Sequence, residues 1–225
     1  MRLNLVLIGP PGSGKGTQAA RIAEKYGIPH ISTGDILRAA VRAGSPLGRQ
    51  VEATLASGGL VGDALMTDLV RERLGAPDVR QGFVLDGFPR TVTQAQALDT
   101  IVTVPPVIAL IDAADEEIVR RLGFRRICAS CGLTQAISSD SEPGMPELGI
   151  EEHPDPCPYC GGLLVRRQDD EPETVRRRLA TYAQYAEPLI AYYRSRPTYG
   201  AVDGLREPSE VTSLLVTLIE RRAPR

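Results

Sequence analysis

Three groups of residues in this chain have types and spacings that could do chemistry. The first is Gly9-Pro-Pro-Gly-Ser-Gly-Lys-Gly-Thr17. Its glycines let consecutive backbone N–H groups turn inward around phosphate oxygens, a following helix start adds partial positive charge, and Lys15 supplies a full one. A Gly-rich turn is the plainer alternative, but an apolar run before the motif and a helical pattern after it favour phosphate binding. The general pattern puts Ser or Thr directly after the lysine, where its hydroxyl meets Mg²⁺; here that position is Gly16, with Thr17 one later. Magnesium would then rely on water, phosphate oxygens and a carboxylate elsewhere. Asp86, at the end of an expected strand, is the candidate, holding the ion through water; a turn-forming Asp before Gly87 is the other reading.

The second group is four cysteines, Cys128-x-x-Cys131 and Cys157-x-x-Cys160. Two such knuckles point to tetrahedral zinc, and four protein ligands leave no open position, so the ion should be structural. The alternative, a pair of disulfides, requires an oxidising compartment. His153 lies near the second knuckle, is redundant as a ligand and reads as a surface residue. The third group is arginine: Arg121 and Arg125 before the cysteine segment, Arg167 and Arg178 after it. An arginine-rich helix such as 175–179 is by default a charged surface face, so these need a motif to give them a role.

The elements that position these groups follow from punctuation and periodicity. Leu3 to Ile8 reads as a strand buried on both faces. It is too short to span a membrane and carries no small-residue cleavage pattern, so a signal peptide is not expected. Lys15 to Tyr26 reads as a helix, a short strand follows around Ile28 to Ser32, and Thr33 is placed to cap the next helix. Pro46 to Ser57 and Asp63 to Leu74 read as two helices separated by Gly58-Gly59. Phe83 to Asp86 and Val107 to Asp112 are further strands, each leading into a helical pattern. Strand–helix alternation implies an α/β fold, a parallel sheet covered on both sides. Residues 128–165 interrupt it with all four cysteines, several Pro and Gly, and a polar run over 138–142: an inserted module. Helical patterning returns from Pro172 to about Arg194, followed by a short strand (Ala201 to Asp203) and a last helix from Pro208 to Arg222. At 225 residues, 42% of them hydrophobic, the chain can bury a real core. Its net charge of −2 gives no global basic field for nucleic acid or an anionic membrane.

The succession Gly-Lys-Gly-Thr17, Ser32-Thr-Gly-Asp-Ile-Leu-Arg38 and Leu85-Asp-Gly-Phe-Pro-Arg-Thr91 with Gln94 closely resembles adenylate kinases, within the nucleoside monophosphate kinases. The resemblance runs to Val202-Asp-Gly204. It implies a P-loop three-layer sandwich: a core of residues 1–31, 62–123 and 171–225, a helical monophosphate-binding insertion at 32–61, and a lid at 124–170. It implies an AMP site lined by Thr33, Arg38, Gly59, Leu60, Val61, Gly87, Phe88, Pro89, Arg90 and Gln94, with Arg167 and Arg178. It implies ATP contacts from Gly12, Ser13, Gly14, Lys15, Gly16, Thr17, Arg121, Arg125, Thr134, Gln135 and Arg206. Lys15, Arg90, Arg125, Arg167 and Arg178 would stabilise the transferring group, and Asp169 and Asp170 match a family pair near the lid hinge. Some adenylate kinases carry zinc cysteines in the lid in this way, so the implied cofactors are Mg²⁺ with ATP and structural Zn²⁺. This chain departs from the family between the knuckles, where about 25 residues replace a shorter segment.

The expected reaction is transfer of the γ-phosphoryl of MgATP to AMP, giving ADP, by a cytoplasmic monomer. One alternative is the same fold acting on CMP or UMP. Another is a nucleotide-dependent binding protein whose zinc ribbon grips RNA or protein. Ala129 to Tyr159 contains no Lys or Arg and several acids, which argues against nucleic acid.

Overall fold

The computed structural model describes residues 2–137, 152–153 and 156–223. Its centre is a five-stranded parallel sheet of β1 (Leu3–Ile8), β2 (His30–Ser32), β3 (Gly82–Asp86), β4 (Val107–Asp112) and β9 (Tyr199–Asp203), in the order β2-β3-β1-β4-β9. The register pairs Leu3 with Gly82 and Leu7 with Asp86, which brings the ends of β1 and β3 level. Side chains alternate across the pleat. Val6, Ile8, Phe83, Leu85, Ile108 and Leu110 pack on one face; Leu5, Leu7, Val84, Ala109 and Ile111 pack on the other. Both faces are covered by helices, and full burial of each such side chain contributes about 1.5–3 kcal/mol. The first face meets α4 (Asp63–Leu74), α5 (Val92–Ile101) and α7 (Pro172–Arg194); the second meets α1 (Lys15–Tyr26) and α8 (Pro208–Arg222).

Two helices, α2 (Thr33–Arg42) and α3 (Pro46–Ala56), sit between β2 and α4. Each begins at a serine. Ser32 Oγ accepts from the Asp35 N–H at 3.2 Å, and Ser45 Oγ accepts from the Gly48 N–H at 3.0 Å, with Pro46 at the first helical position. Thr33 is therefore not the cap that its type suggested; it is the first helical residue, and Ser32 has the extended backbone that a cap requires. The expected strands near residues 28, 83 and 201 begin instead at His30, Gly82 and Tyr199.

The cysteine segment is built on a second, antiparallel sheet with the order β6-β5-β8-β7, after α6 (Asp115–Gly123). Its strands are β5 (Arg125–Cys128), β6 (Thr134–Ala136), β7 (Glu152–His153) and β8 (Leu164–Val165). Among the described residues, the buried cluster under it holds Cys128, Cys157 and Leu164. The polar run at 138–142 lies outside the described residues. No helix among the described residues is long and apolar enough to cross a membrane.

Candidate active site

A cleft of about 920 Å³ opens at the carboxyl ends of β1 and β3, where β1 has neighbours reached by crossovers in opposite directions. Open α/β sheets bind ligands at such a switch point. The loop Gly9–Gly14 joins β1 to α1 and lines the cleft. The Lys15 ammonium donates to the Gly9 carbonyl at 2.9 Å and the Pro10 carbonyl at 2.6 Å. Burial, opposed by Asp86 and reinforced by Arg90, Arg178 and Arg125, brings its pKa down to about 8. Asp86 ends β3 facing Gly16, with His30 Nε2 at 3.7 Å from Oδ2. Burial alone would raise its carboxyl, but His30 and the Lys15 charge outweigh that and hold it below the usual range. An ionised carboxylate beside the phosphate loop fits a magnesium ion held through water.

Four more cations converge here from separate elements. Arg90 follows β3; its Nε donates to the Gly87 carbonyl at 2.9 Å. Arg125 opens β5 and is gripped by Asp170 through two hydrogen bonds. Arg167 follows β8, and its Nη2 donates to Thr134 Oγ1 at 2.7 Å. Arg178, on α7, donates to the Asp169 carbonyl at 2.8 Å and to Asp170 Oδ1 at 3.1 Å. The β5–β8 ladder pairs Ile127 with Val165, and continuing it two residues places Arg125 opposite Arg167 at the foot of the small sheet. Burial, then the charges of Arg125 and Arg38, press the Arg167 guanidinium down to about 10. Such cationic crowding is relieved by anions. Ser13 Oγ, Arg38 Nε, Arg167 Nε and Gln135 Oε1 are also buried without a hydrogen-bond partner among the described residues, as expected of groups a ligand completes.

Nearly all the residues singled out in the sequence line this one cleft: Gly12 to Thr17, Arg38, Gly59, Leu60, Val61, Asp86, Gly87, Pro89, Arg90, Gln94, Arg121, Arg125, Thr134, Gln135, Arg167, Arg178 and Arg206. Thr33 and Phe88 do not. Both are fully buried behind the wall, and the Thr33 hydroxyl donates to the Asp86 carbonyl at 3.3 Å. Gln94 is also buried, and its amide is engaged: Oε1 accepts from the Arg90 N–H at 2.8 Å and Nε2 donates to Asp63 Oδ1 at 2.8 Å. One N–H and one lone pair remain to it. Arg121 is engaged in this state: it bonds Glu117 and the Gly204 carbonyl, each at 2.7 Å. Arg206, half-exposed, lies 3.5 Å from Asp203.

The adenylate kinase family profile matches residues 7–198. The chain is 42% identical over 224 residues to an adenylate kinase of Archaeoglobus fulgidus, covering 97% of this chain and 99% of that protein. It is 47% identical over 216 residues to an adenylate kinase of Trichlorobacter lovleyi, covering 93% and 95%. The chain belongs to the adenylate kinase family.

Membership in the adenylate kinase family makes the chain a nucleotide phosphotransferase, and it directs attention to the cysteines. The four Sγ atoms lie within 4.8 Å of one another, with Cys128–Cys160 at 3.5 Å and Cys131–Cys157 at 3.7 Å. Zn–S bonds of about 2.3 Å at tetrahedral angles require sulfur separations of about 3.8 Å, so the cluster has the size of a zinc site. The Cys131 N–H donates to Cys128 Sγ at 3.4 Å and helps pull that thiol down, which favours the thiolate a metal needs. Each knuckle closes through a left-handed glycine, Gly132 at φ 76° and Gly161 at φ 70°, whose N–H donates back to the carbonyl of the first cysteine.

Residue-type reasoning missed several members of this adenylate kinase site. Asp35 accepts from Arg38 at 2.6 Å and lies 3.9 Å from Arg167. Asp63 accepts from Thr91 and Gln94. His30 neighbours Asp86, and Gln18 lines the cleft. Asp35 stood inside the Ser32–Arg38 motif and was legible there; the others depend on contacts 28 to 194 positions apart, for which a single sequence carries no signal.

Proposed function

We propose that this chain catalyses reversible transfer of the γ-phosphoryl of MgATP to AMP, giving two ADP, and so balances the adenine nucleotides. The observation that carries this reading is the convergence of Lys15, Arg90, Arg125, Arg167 and Arg178 on one cleft, with a phosphate loop at one end. At the other end Leu60, Val61 and Met66 offer an apolar wall for a base beside the Gln94 amide. Arg38 and Arg90 take the acceptor phosphate there, while Thr33 and Phe88 support the wall from behind.

No side chain needs to act as a nucleophile, and the acceptor phosphate is already anionic. Catalysis is alignment for in-line transfer plus stabilisation of charge on three equatorial oxygens. Magnesium, when bound with ATP, supplies part of that charge, with Asp86 holding it through water. Lys15 and the loop N–H groups hold the donor phosphates, and Arg125, Arg167 and Arg178 surround the group in flight. Asp169 and Asp170 keep Arg178 oriented, Asp170 also holds Arg125, and Thr134 Oγ1 accepts from Arg167. Residues 32–61 act as the acceptor-binding insertion and 124–170 as a zinc-clasped lid on a core of 1–31, 62–123 and 171–225. Closing both flaps excludes water, the competing acceptor. Zinc suits a lid whose buried cluster, among the described residues, is Cys128, Cys157 and Leu164 alone. A site complete within one chain supports a monomer, and four free cysteines suit a reducing cytoplasm.

The test is ADP formation from MgATP with AMP, CMP, UMP and dTMP in parallel and a no-acceptor control. Transfer to AMP alone is expected. Preference for another monophosphate would keep the mechanism and overturn the acceptor, and transfer to none would overturn the function.

A further inference from the structure

The strands that enter and leave the small sheet bring together a second pair of arginines, which the transfer chemistry above does not use. Burial alternates along β5: Arg126 and Cys128 lie on one face, Arg125 and Ile127 on the other. Arg125 and Arg167 line the cleft, whereas Arg126 and Arg166 do not. Ile127 faces Val165 across the β5–β8 ladder, so one residue further along Arg126 stands opposite Arg166. The foot of the small sheet therefore holds two guanidinium pairs back to back, one turned to the cleft and one turned away from it.

Arg126 is only 3% exposed. Its Nη1 donates to the carbonyl of Gly123, the last residue of α6, at 3.0 Å and to the Arg125 carbonyl at 2.9 Å. One nitrogen thus ties the end of the helix to the peptide that follows Arg125. Arg166 acts on the other strand. Its Nη2 donates to the Asp170 carbonyl at 3.0 Å, and the Asp170 carboxylate is the group that grips Arg125 and Arg178. Burial, then the charge of Arg166, lowers the Arg126 pKa, with Asp170 opposing. A cation kept this deep beside another cation is costly, and an apolar side chain of the same length would pack as well without that cost. What the guanidinium adds is its hold on two carbonyls.

We propose that Arg126, backed by Arg166, is a positioning residue: from behind β5 it fixes the direction in which Arg125 presents its guanidinium to the transferring phosphoryl group. The inference rests on the proposed function, in which Arg125 is one of the cations around that group. A side chain fixed at its root loses little freedom when it meets the short-lived charge of the transition state. The gain therefore falls on the rate of transfer and not on ground-state binding. Arg126 does not line the cleft, so its effect on either nucleotide passes through Arg125.

The experiment compares the wild type with Arg126→Met, Arg126→Lys and Arg166→Met by steady-state kinetics, thermal melting and NMR hydrogen exchange of the Arg125 Nε–H, which donates to Asp170 Oδ2 at 2.7 Å. Arg126→Met should lower kcat roughly ten-fold while KM for ATP and for AMP stays within about two-fold. Its Tm should move by no more than about 3 °C, because removal of a buried charge offsets the lost carbonyl bonds. Exchange of the Arg125 Nε–H should quicken roughly ten-fold as its root loosens. Arg126→Lys, whose ammonium can still donate to both carbonyls, should recover most of kcat, and Arg166→Met should show the same split at smaller size. A kcat loss that merely follows a large fall in Tm, or an unchanged Arg125 exchange rate, would reduce Arg126 to a packing residue and overturn the proposal. If Arg126→Met does not fold, Arg126→Gln removes the charge, keeps a polar end and carries the same test. A wild type that transfers nothing would sink the proposed function, while the Arg125 exchange rates would still judge Arg126.

Discussion

The carboxylate of Asp170 holds two guanidiniums at once: both of its oxygens accept from Arg125, and Oδ1 also accepts from Arg178 Nη1 at 3.1 Å. Its side chain is fully buried, at the junction of the small sheet and α7. Without it, the two cations that the proposed function directs at phosphate would face one another in a poorly solvated space. Breaking a buried pair costs about 3–5 kcal/mol, largely through the charge left behind. Asp170→Asn keeps the size and removes the charge. It should therefore lose stability on that scale in chemical denaturation and lose turnover with it. Wild-type stability would show that Arg125 and Arg178 are held by other groups.

Lys15 gives the site a pH dependence. Burial lowers its pKa from 10.5 to about 8, so the folded protein releases this proton well before the unfolded chain does. Between about pH 8 and 10.5 the unfolded state binds more protons, and the contribution of this group to stability rises with pH. Binding runs the other way, because donor phosphates need the charged ammonium. The kcat/KM for ATP should fall on an alkaline limb near pH 8, while kcat, measured with phosphates already on the lysine, should hold to higher pH. A kcat/KM that is flat to pH 9.5 would contradict this placement of Lys15.

The cysteine cluster should matter more for integrity than for chemistry, because none of its sulfurs lines the cleft. Cys157→Ser, or removal of metal by a chelator, should lower Tm by at least several degrees while room-temperature turnover stays within about three-fold. Metal content by elemental analysis should fall in step with Tm. A larger loss of turnover than of Tm would give the metal a role beyond holding the small sheet together.

Gly58 links the α2–α3 pair to the arginines. It follows α3 with φ at 74°, and a Cβ there would sit 2.8 Å from Arg178 Cγ and 3.2 Å from Thr174 Cγ2. Gly58→Ala therefore combines a left-handed backbone with a collision against the base of a site side chain. It should cost roughly 1–2 kcal/mol of stability and reduce kcat by displacing Arg178. The nearby Gly62→Ala, whose Cβ would meet nothing within 4 Å and which does not line the cleft, is the control and should leave kcat close to wild type.

The core elements were legible because each is bounded by residues with backbone consequences. Pro46, Pro172 and Pro208 start helices, Gly27 and Gly75 end them, and residues 5–8 of β1 and 107–111 of β4 are unbroken apolar runs. The strands of the small sheet are two to four residues long, too short to show alternation, so only the cysteines marked that region. Ser32 and Thr33 are both competent caps, and one sequence does not rank them; the extended backbone of Ser32 decides. In the site, the charged groups could be read from motif order, whereas the buried polar partners could not. Gln18 and Asp63 become visible only when β9, α8 and α4 are folded against the phosphate loop and α5.

Arg125 and Arg167 stand opposite each other at the foot of the small sheet, one on the strand that enters it and one just beyond the strand that leaves. Any tilt of that sheet carries both guanidiniums together. If the small sheet closes over the cleft as proposed above, shutting out solvent and delivering these two charges to the phosphates become a single degree of freedom. On that reading an open cleft keeps Lys15, Arg90 and Arg178 but lacks part of the charge, and the full set assembles only as the entrance shuts.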